Sequence, residues 1–366
     1  MSKATLDGKP ITLEDACREA ARILGDATFP VVAGLGADAA GARSAILLAE
    51  QLRGAYDHLA SKEILADLDV LRSFSMFTTT PNEARVRADA LLFVGPGLSQ
   101  LWPAMLERLA PGQPPRHGAQ AGQPRRIFWI GPEANEAANI PATIIPAARD
   151  ELPEMLAMLR ARVGGRPVAG DAARQPAIDE LAGVLKNAHF GVVVWSASSG
   201  IDPLAIEMLQ AMVADLNVTT RCTGVPIGAR SGAAGVTQTS GWMTGFPPRT
   251  GFGRGYPEHD PWRFEAKRLV DSGEADAALW ISAYSGEAPP WSKGDVPLIT
   301  LAPAGKEPGR GLYIEVGQPG VTHDCVEFAQ EIGSFALRKA TTPSSAPSVA
   351  QIIDAIATKL QGEVSC

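Results

Sequence analysis

The sequence predicts an α/β protein built from parallel sheets in two layers of about equal size. Short apolar runs bounded by glycine are followed by helical patterns with readable ends, the rhythm of strands joined by crossover helices. These runs are continuously apolar rather than alternating, as expected when helices cover both faces of a sheet. Strand types also recur. Ala88-Asp89-Ala90-Leu91-Leu92-Phe93-Val94-Gly95 is echoed by Ala275-Asp276-Ala277-Ala278-Leu279-Trp280-Ile281-Ser282, and Phe29-Pro30-Val31-Val32 by Phe190-Gly191-Val192-Val193.

In chain order, the first helix starts at Thr12-Leu13-Glu14-Asp15, where Thr12 caps and Asp15 favours the positive end. Ala16, Ala20, Ile23 and Leu24 form its stripe and Gly25 ends it. Strands are then expected at Phe29–Gly34, Ala90–Gly95, Arg126–Gly131, Phe190–Trp195, Ala277–Ser282 and Pro297–Leu301. Asp202-Pro203 reads as the cap and first turn of a helix with Ala205, Leu209, Met212, Val213 and Leu216 on one face. Ser348 and Gln351 form a capping box for a last helix carrying Val349, Ile352, Ile353, Ile356 and Leu360. A Pro/Ser-rich stretch, Thr341 to Pro347, precedes it, so the helix is expected to dock as a separate tail. Pro111–Arg125 and Gly164–Pro176 read as exposed connections. Gly224 to Pro261 interleaves glycine, proline, tryptophan, arginine and tyrosine without periodicity, and a structureless loop of that length is usually functional.

With 366 residues, a formal charge of −7, 45% hydrophobic and 20% charged positions, the chain has an ordinary globular balance and room for two or three domains. An acidic balance disfavours nucleic-acid binding, which is driven by Lys and Arg displacing counterions. Cys17, Cys222, Cys325 and Cys366 are far apart and form no C-x-x-C pair, so no disulfide framework, zinc site or iron-sulfur ligand set is readable. A reducing cytoplasm fits. The start lacks an apolar signal core, no stretch is long and apolar enough to span a membrane, and Cys366 is too late for a prenylation box.

Gly34-Leu35-Gly36 follows a strand and precedes a helix, where backbone N–H groups can receive a phosphate, but its next glycine is Gly41 and the spacing is not GxGxxG. It reads as a tight turn. Gly95-Pro96-Gly97 and Ser196-Ala197-Ser198-Ser199-Gly200 are turns of the same kind, the second able to accept an oxyanion. His58, His117, His189, His259 and His323 form no H-x-x-x-H or H-x-H pair, and His323-Asp324-Cys325 offers two ligands at most. Neither a GxSxG elbow nor a GxxxxGK[ST] loop occurs. Glu258, His259 and Asp260 suit acid-base chemistry in principle, although neighbours in a loop are more commonly solvated. The aperiodic segment concentrates Arg230, Trp242, Thr244, Gly245, Arg249, Arg254 and Tyr256. Arginine forks and amphipathic aromatics suit an anionic ligand in a cleft or a buried protein contact. Composition does not choose between them.

At this segment the sequence resembles a known family. Trp242-Met243-Thr244-Gly245-Phe246-Pro247, then Gly251-Phe252-Gly253-Arg254-Gly255-Tyr256-Pro257, then Pro261-Trp262-Arg263-Phe264-Glu265-Ala266 are similar to the β-subunit family of formylmethanofuran dehydrogenase, relatives of the molybdopterin oxidoreductases. Asn82 to Asp89 and Ile23 to Ser61 are similar too, and the resemblance covers nearly the whole chain. For the dehydrogenase it implies an N-terminal cysteine cluster holding a [4Fe-4S] centre. It also implies a Cys-His or selenocysteine-His pair ligating tungsten or molybdenum carried by two pterin dinucleotides. Here the chain starts about where the first α/β domain starts, and the metal-ligand position, just after Ser61, reads Lys62-Glu63-Ile64-Leu65. No cysteine lies between Cys17 and Cys222. Soft metals and clusters need thiolate or selenolate donors, so the redox activity is not expected to carry over.

The resemblance is closer to the β subunit of the bacterial formyltransferase/hydrolase complex. It implies two doubly wound Rossmann-like αβα domains, one inserted in the other, without the iron-sulfur domain. Residues 1–60 plus 229–340 would form the outer domain, 61–228 the inserted one, and 341–366 the linker and docking helix. The implied role is a non-catalytic scaffold that accompanies an amidohydrolase-like subunit, a formyltransferase subunit and a further scaffold subunit. Zinc and methylofuran are then expected in the partners, and no cofactor in this chain. The other class open to this sequence is an oxidoreductase subunit that still binds a pterin or nucleotide; a third is a free-standing small-molecule binding module.

Overall fold

The computed structural model describes residues 4–168, 172–292, 295–306 and 310–363 of this mixed α/β protein; Cys366 lies outside them. Contacts divide the chain into two compact units. One comprises the chain through Ser61, Arg230–Phe328 and the chain from Phe335 onward, and the other comprises Lys62–Ala229 and Ala329–Ser334.

The first unit carries a nine-stranded sheet in the spatial order Glu258–His259, Thr250–Gly251, Ala55–Tyr56, Pro30–Gly36, Ala277–Ser282, Leu298–Ala302, Leu312–Glu315, Ala4–Leu6 and Lys9–Ile11. The strands from Ala55–Tyr56 to Leu312–Glu315 pair in parallel, and antiparallel pairs finish both edges. Strand alternation sends Val32, Leu279 and Ile281 into one core, which Leu35 joins because Gly34 and Leu35, at positive φ, break the alternation. Val31, Ala33, Ala278 and Trp280 enter a second core on the opposite face. Helices Leu13–Gly25, Ala39–Gln51 and Val349–Glu363 cover the first face, and helix Ala266–Ser272 the second.

The second unit carries a five-stranded sheet in the order Thr143–Ile145, Arg126–Ile130, Ala90–Val94, Gly191–Trp195 and Cys222–Pro226, parallel throughout. Leu92, Phe128 and Val193 face the core under helices Leu152–Val163, Gln175–Asn187 and Pro203–Leu216. Leu91, Phe93, Trp129 and Val192 face the short helices Pro81–Arg87, Leu98–Leu101 and Met105–Leu109.

Two expectations are corrected. The last helix is no separate tail: Val349, Ile352, Ile353, Ile356 and Leu360 are buried in the core of the first unit. That stripe packs against Leu13–Gly25 and Ala39–Gln51 and is not free to dock elsewhere. Nor is the Gly224–Pro261 segment structureless. It contains the helix Ala233–Thr244, which buries Ala233, Gly235, Val236, Thr239 and Ser240. Small and hydroxylated residues make a poor apolar stripe, which hides the period. Thr237, Thr239 and Thr244 bond back to the carbonyls of Ala233, Gly235 and Ser240.

Candidate functional site

In open parallel sheets, ligands bind beyond the strand C-termini where the strand order reverses. In the first unit that place lies between Pro30–Gly36 and Ala277–Ser282, and the chain itself fills it. The Ala60 N–H donates to His58 Nδ1 at 2.9 Å, so Nε2 carries the ring proton and donates to the Ser231 carbonyl at 3.2 Å. Gly232, at φ 76°, leaves no room for a side chain: a Cβ would stand 2.9 Å from the Ala37 carbonyl oxygen and 3.0 Å from the Tyr284 ring. Asp38 caps the following helix through the Gly41 N–H at 3.0 Å, occupying its positive end with a carboxylate. Tyr284 donates to Glu327 at 3.0 Å, and Arg338 donates to the other oxygen of Glu327 at 3.2 Å.

The second unit repeats the pattern with other residues. Its reversal lies between Ala90–Val94 and Gly191–Trp195. At the Gly95-Pro96-Gly97 turn, Glu136 accepts from the Gly97 N–H at 3.0 Å and the Ser99 N–H at 2.8 Å, and from the Glu133 N–H at 3.0 Å. A carboxylate of the chain therefore sits where an anion would. In the facing turn, Ser196 donates to the Ile227 carbonyl at 2.9 Å and Ser199 donates to the Ser196 carbonyl at 2.8 Å, so these hydroxyl protons are engaged by carbonyls of the chain itself.

The residues singled out in the aperiodic segment do not converge. Arg249 points inward, 13% exposed, and donates to the Pro261 carbonyl at 2.6 Å and to Glu265 at 3.0 Å. Its Nε lies 3.6 Å from the buried carboxylate of Asp57. Thr244 and Gly245 end the Ala233–Thr244 helix, with Gly245 in the left-handed region at φ 80°. Arg230 pairs with Glu287 at 2.7 Å and Arg254 with Glu258 at 3.2 Å, both arginines largely exposed. Tyr256 is exposed, and Trp242, 69% exposed, lies against Phe335 with ring centroids 5.0 Å apart. The acid-base candidates are structural: His259 Nδ1 contacts the Arg249 carbonyl at 2.9 Å, and Asp260 accepts from the Trp262 and Arg263 N–H groups.

Two titratable groups escaped sequence reasoning. Burial pushes the Asp57 carboxyl up to about 6, against the pull of Arg249 and the Ala266 N–H, and pushes His58 down to about 4. Their pH effects oppose each other. The folded chain holds a proton on Asp57 that the unfolded chain releases between about pH 6 and 4, so acidification adds stability there. Unfolded His58 charges below its ordinary 6.5 while the folded ring stays neutral to about 4, so acidification removes stability. From pH 7 to 5 each contribution changes by about 1 to 2 kcal/mol with opposite sign. Relative to wild type, His58→Gln should therefore gain stability on acidification and Asp57→Asn should lose it. Urea midpoints at both pH values check this; variants that track wild type would refute it.

The family's tungsten or molybdenum centre does not fit the donors present. The stretch after Ser61 forms the first turn of helix Ser61–Phe74 and offers Lys62 and Glu63 rather than sulfur. Cys17, Cys222 and Cys325 are buried, and burial pushes the Cys222 and Cys325 thiols up to about 12, away from the thiolate a soft metal needs. Among the described residues no three His, Cys, Asp or Glu side chains are grouped to hold a metal ion. No described helix is long and apolar enough to cross a membrane.

No family model matches the chain. It is 32% identical over 362 residues to the B-type subunit of the formyltransferase/hydrolase complex Fhc of Methylorubrum extorquens, covering 98% of this chain and 97% of the relative. It is 25% identical over 309 residues to the B-type subunit of tungsten-containing formylmethanofuran dehydrogenase 2 of Methanococcus maripaludis, covering 81% of this chain and 71% of that one. Among solved structures, it superposes with a TM-score of 0.89 and 31% identity on a chain of the crystallised formyltransferase/hydrolase complex FhcABCD from M. extorquens, which contains methylofuran. The match covers 99% of this chain and 100% of that one.

Proposed function

The chain belongs to the family of B-type subunits of the formyltransferase/hydrolase complex, and from that premise we propose that it is a non-catalytic scaffold subunit of such a complex. The complex would act in tetrahydromethanopterin- and methylofuran-dependent one-carbon metabolism, releasing a formyl group as formate. The observation that carries this reading is a match along essentially the full length of both chains, in sequence and in structure. It is supported by the two sheet reversals, where Ser231, Gly232 and Glu136 of this chain stand in place of a ligand. The partners are an amidohydrolase-like subunit, a formyltransferase subunit and a further scaffold subunit in the cytoplasm, with zinc and methylofuran held by those partners. We read the units as two doubly wound Rossmann-like domains, with 61–228 inserted between the halves of the outer one. Exposed Trp242, Arg254 and Tyr256 are assigned to a partner interface.

The test is metal analysis of the purified assembly together with Lys62→Ala and Glu63→Ala variants. Zinc confined to a partner, with hydrolysis within about twofold of wild type in both variants, is expected. Stoichiometric tungsten or molybdenum in this chain would favour an oxidoreductase that retains its cofactor. Loss of activity at Glu63 in an intact assembly would refute the scaffold assignment.

A further inference from the structure

The connection Pro111–Arg125 has a role that neither the sheet reversals nor the aromatic segment accounts for. Between Arg108 and Pro132 the sequence contains no Asp or Glu, while Arg108, Arg116, His117, Arg125 and Arg126 all lie there, in a chain of net charge −7. Arg125 is buried, Arg126 pairs with Glu180 and Arg108 donates to the Glu331 carbonyl, which leaves Arg116, beside His117, facing solvent; an unpaired surface cation of this kind serves steering or recognition. The loop is held in a defined shape. The Arg116 and His117 N–H groups both donate to the Val86 carbonyl, and the Gly122 N–H donates to the Pro115 carbonyl at 2.9 Å.

Its C-terminal anchor is Arg125, 8% exposed, which donates to the Leu109 carbonyl at 3.1 Å and to the Arg85 carbonyl. Those carbonyls lie in the last turns of helices Met105–Leu109 and Pro81–Arg87, so the buried cation is met by helix ends. Burial and the neighbouring Arg85 hold its guanidinium down at about 10. Arg85, Arg116 and His117 have no carboxylate partner among the described residues, and Arg116 and His117 are exposed. The charge of the two arginines is therefore open to a partner, with the His117 ring beside them.

We propose that the Arg85–Arg116–His117 surface docks a carboxylate-rich face of another subunit of the same complex. This rests on the scaffold reading and adds to it where one partner binds and by what chemistry. A protein occupant is favoured over nucleic acid because the loop carries no Phe, Tyr or Trp on which bases stack and the chain as a whole is acidic.

The full-length chain is co-expressed with the other subunits of its cognate complex, and their retention is measured by native mass spectrometry and association kinetics at 50 and 500 mM salt. Two acidic forms are compared, Arg85→Glu/Arg116→Glu and the exposed-loop pair Arg116→Glu/His117→Glu, each checked for an unchanged unfolding midpoint. Wild type should bind one partner at least tenfold faster at the lower salt, and both variants should lose at least tenfold in association with that partner alone. Lysine at Arg85 and Arg116 should restore most of the rate. A wild type that assembles, alongside variants that assemble equally well, overturns this surface and leaves the scaffold reading standing. A wild type that stays alone overturns both. Retention of a short RNA that the acidic substitutions abolish, with assembly unaffected, overturns the protein occupant.

Discussion

Arg249→Ala should be among the most destabilising single changes in the first unit, lowering its unfolding free energy by about 3 to 5 kcal/mol, the cost of leaving one half of a buried ion pair. One guanidinium joins three elements. It reaches the Pro261 carbonyl, Glu265 just before helix Ala266–Ser272, and the Asp57 carboxylate beyond strand Ala55–Tyr56. The Arg249 backbone joins the same edge, donating to the Tyr56 carbonyl and accepting from the Asp260 N–H. Without the side chain, Asp57 keeps the Ala266 N–H at 2.9 Å but loses the cation that favours its charged form. The defect should therefore shrink as pH falls from 8 to 5 and the carboxyl protonates. Asp57→Asn in the same chain should recover part of the loss, because the uncompensated charge is gone. Arg249→Lys should not rescue fully, since an ammonium cannot present the fork that reaches Pro261 and Glu265 together. Urea unfolding of these variants at both pH values is the measurement. A loss below about 1 kcal/mol, or one indifferent to pH, would show the network to be incidental.

The interior strands were legible because both faces of each sheet are covered, which makes runs such as Ala90–Val94 and Ala277–Ser282 apolar at every position. The edges were not. Toward one edge, Ala55–Tyr56, Thr250–Gly251 and Glu258–His259 are each two residues long, too short for any period, and acquire their pairing only from the strands beside them. Helix Ala233–Thr244 was hidden because its inward positions are alanine, glycine, valine, threonine and serine, and left-handed glycines at both ends replace capping side chains. The arginine and aromatic residues of the following segment stood out by composition, yet composition cannot say which face they take. Arg249, at φ 67°, turns inward, whereas Trp242 and Tyr256 remain outside. Asp57 and His58 gave no local signal at all. Their environment is made by Arg249, Ala266 and Ser231, distant in sequence and brought near by the sheet.

Gly34-Leu35-Gly36, read from sequence as a tight turn but forming the end of strand Pro30–Gly36, yields the second large effect. Gly34 lies at φ 81° inside the strand that pairs with Ala277–Ser282, where the register shifts between Trp280 and Ser282. A Cβ there would overlap the Ile281 carbonyl oxygen and stand 3.1 Å from both the Ile281 nitrogen and the Trp280 ring. Two of these neighbours are backbone in the centre of the sheet and cannot rotate away. Gly34→Ala thus adds a left-handed penalty of about 1 to 2 kcal/mol to an overpacking cost of about 1 to 3 kcal/mol. The sum, roughly 2 to 5 kcal/mol, is a large share of a typical domain's stability. The control is Gly241→Ala: Gly241 lies in helix Ala233–Thr244, has ordinary helical φ, and a Cβ meets nothing within 4 Å. It should gain roughly 0.5 to 1 kcal/mol from reduced backbone entropy in the unfolded chain. The same substitution should therefore shift the urea midpoint in opposite directions at the two sites. Equal shifts would mean that strand Pro30–Gly36 accommodates a side chain at this position, and that the close approach to Ile281 is not what fixes glycine there.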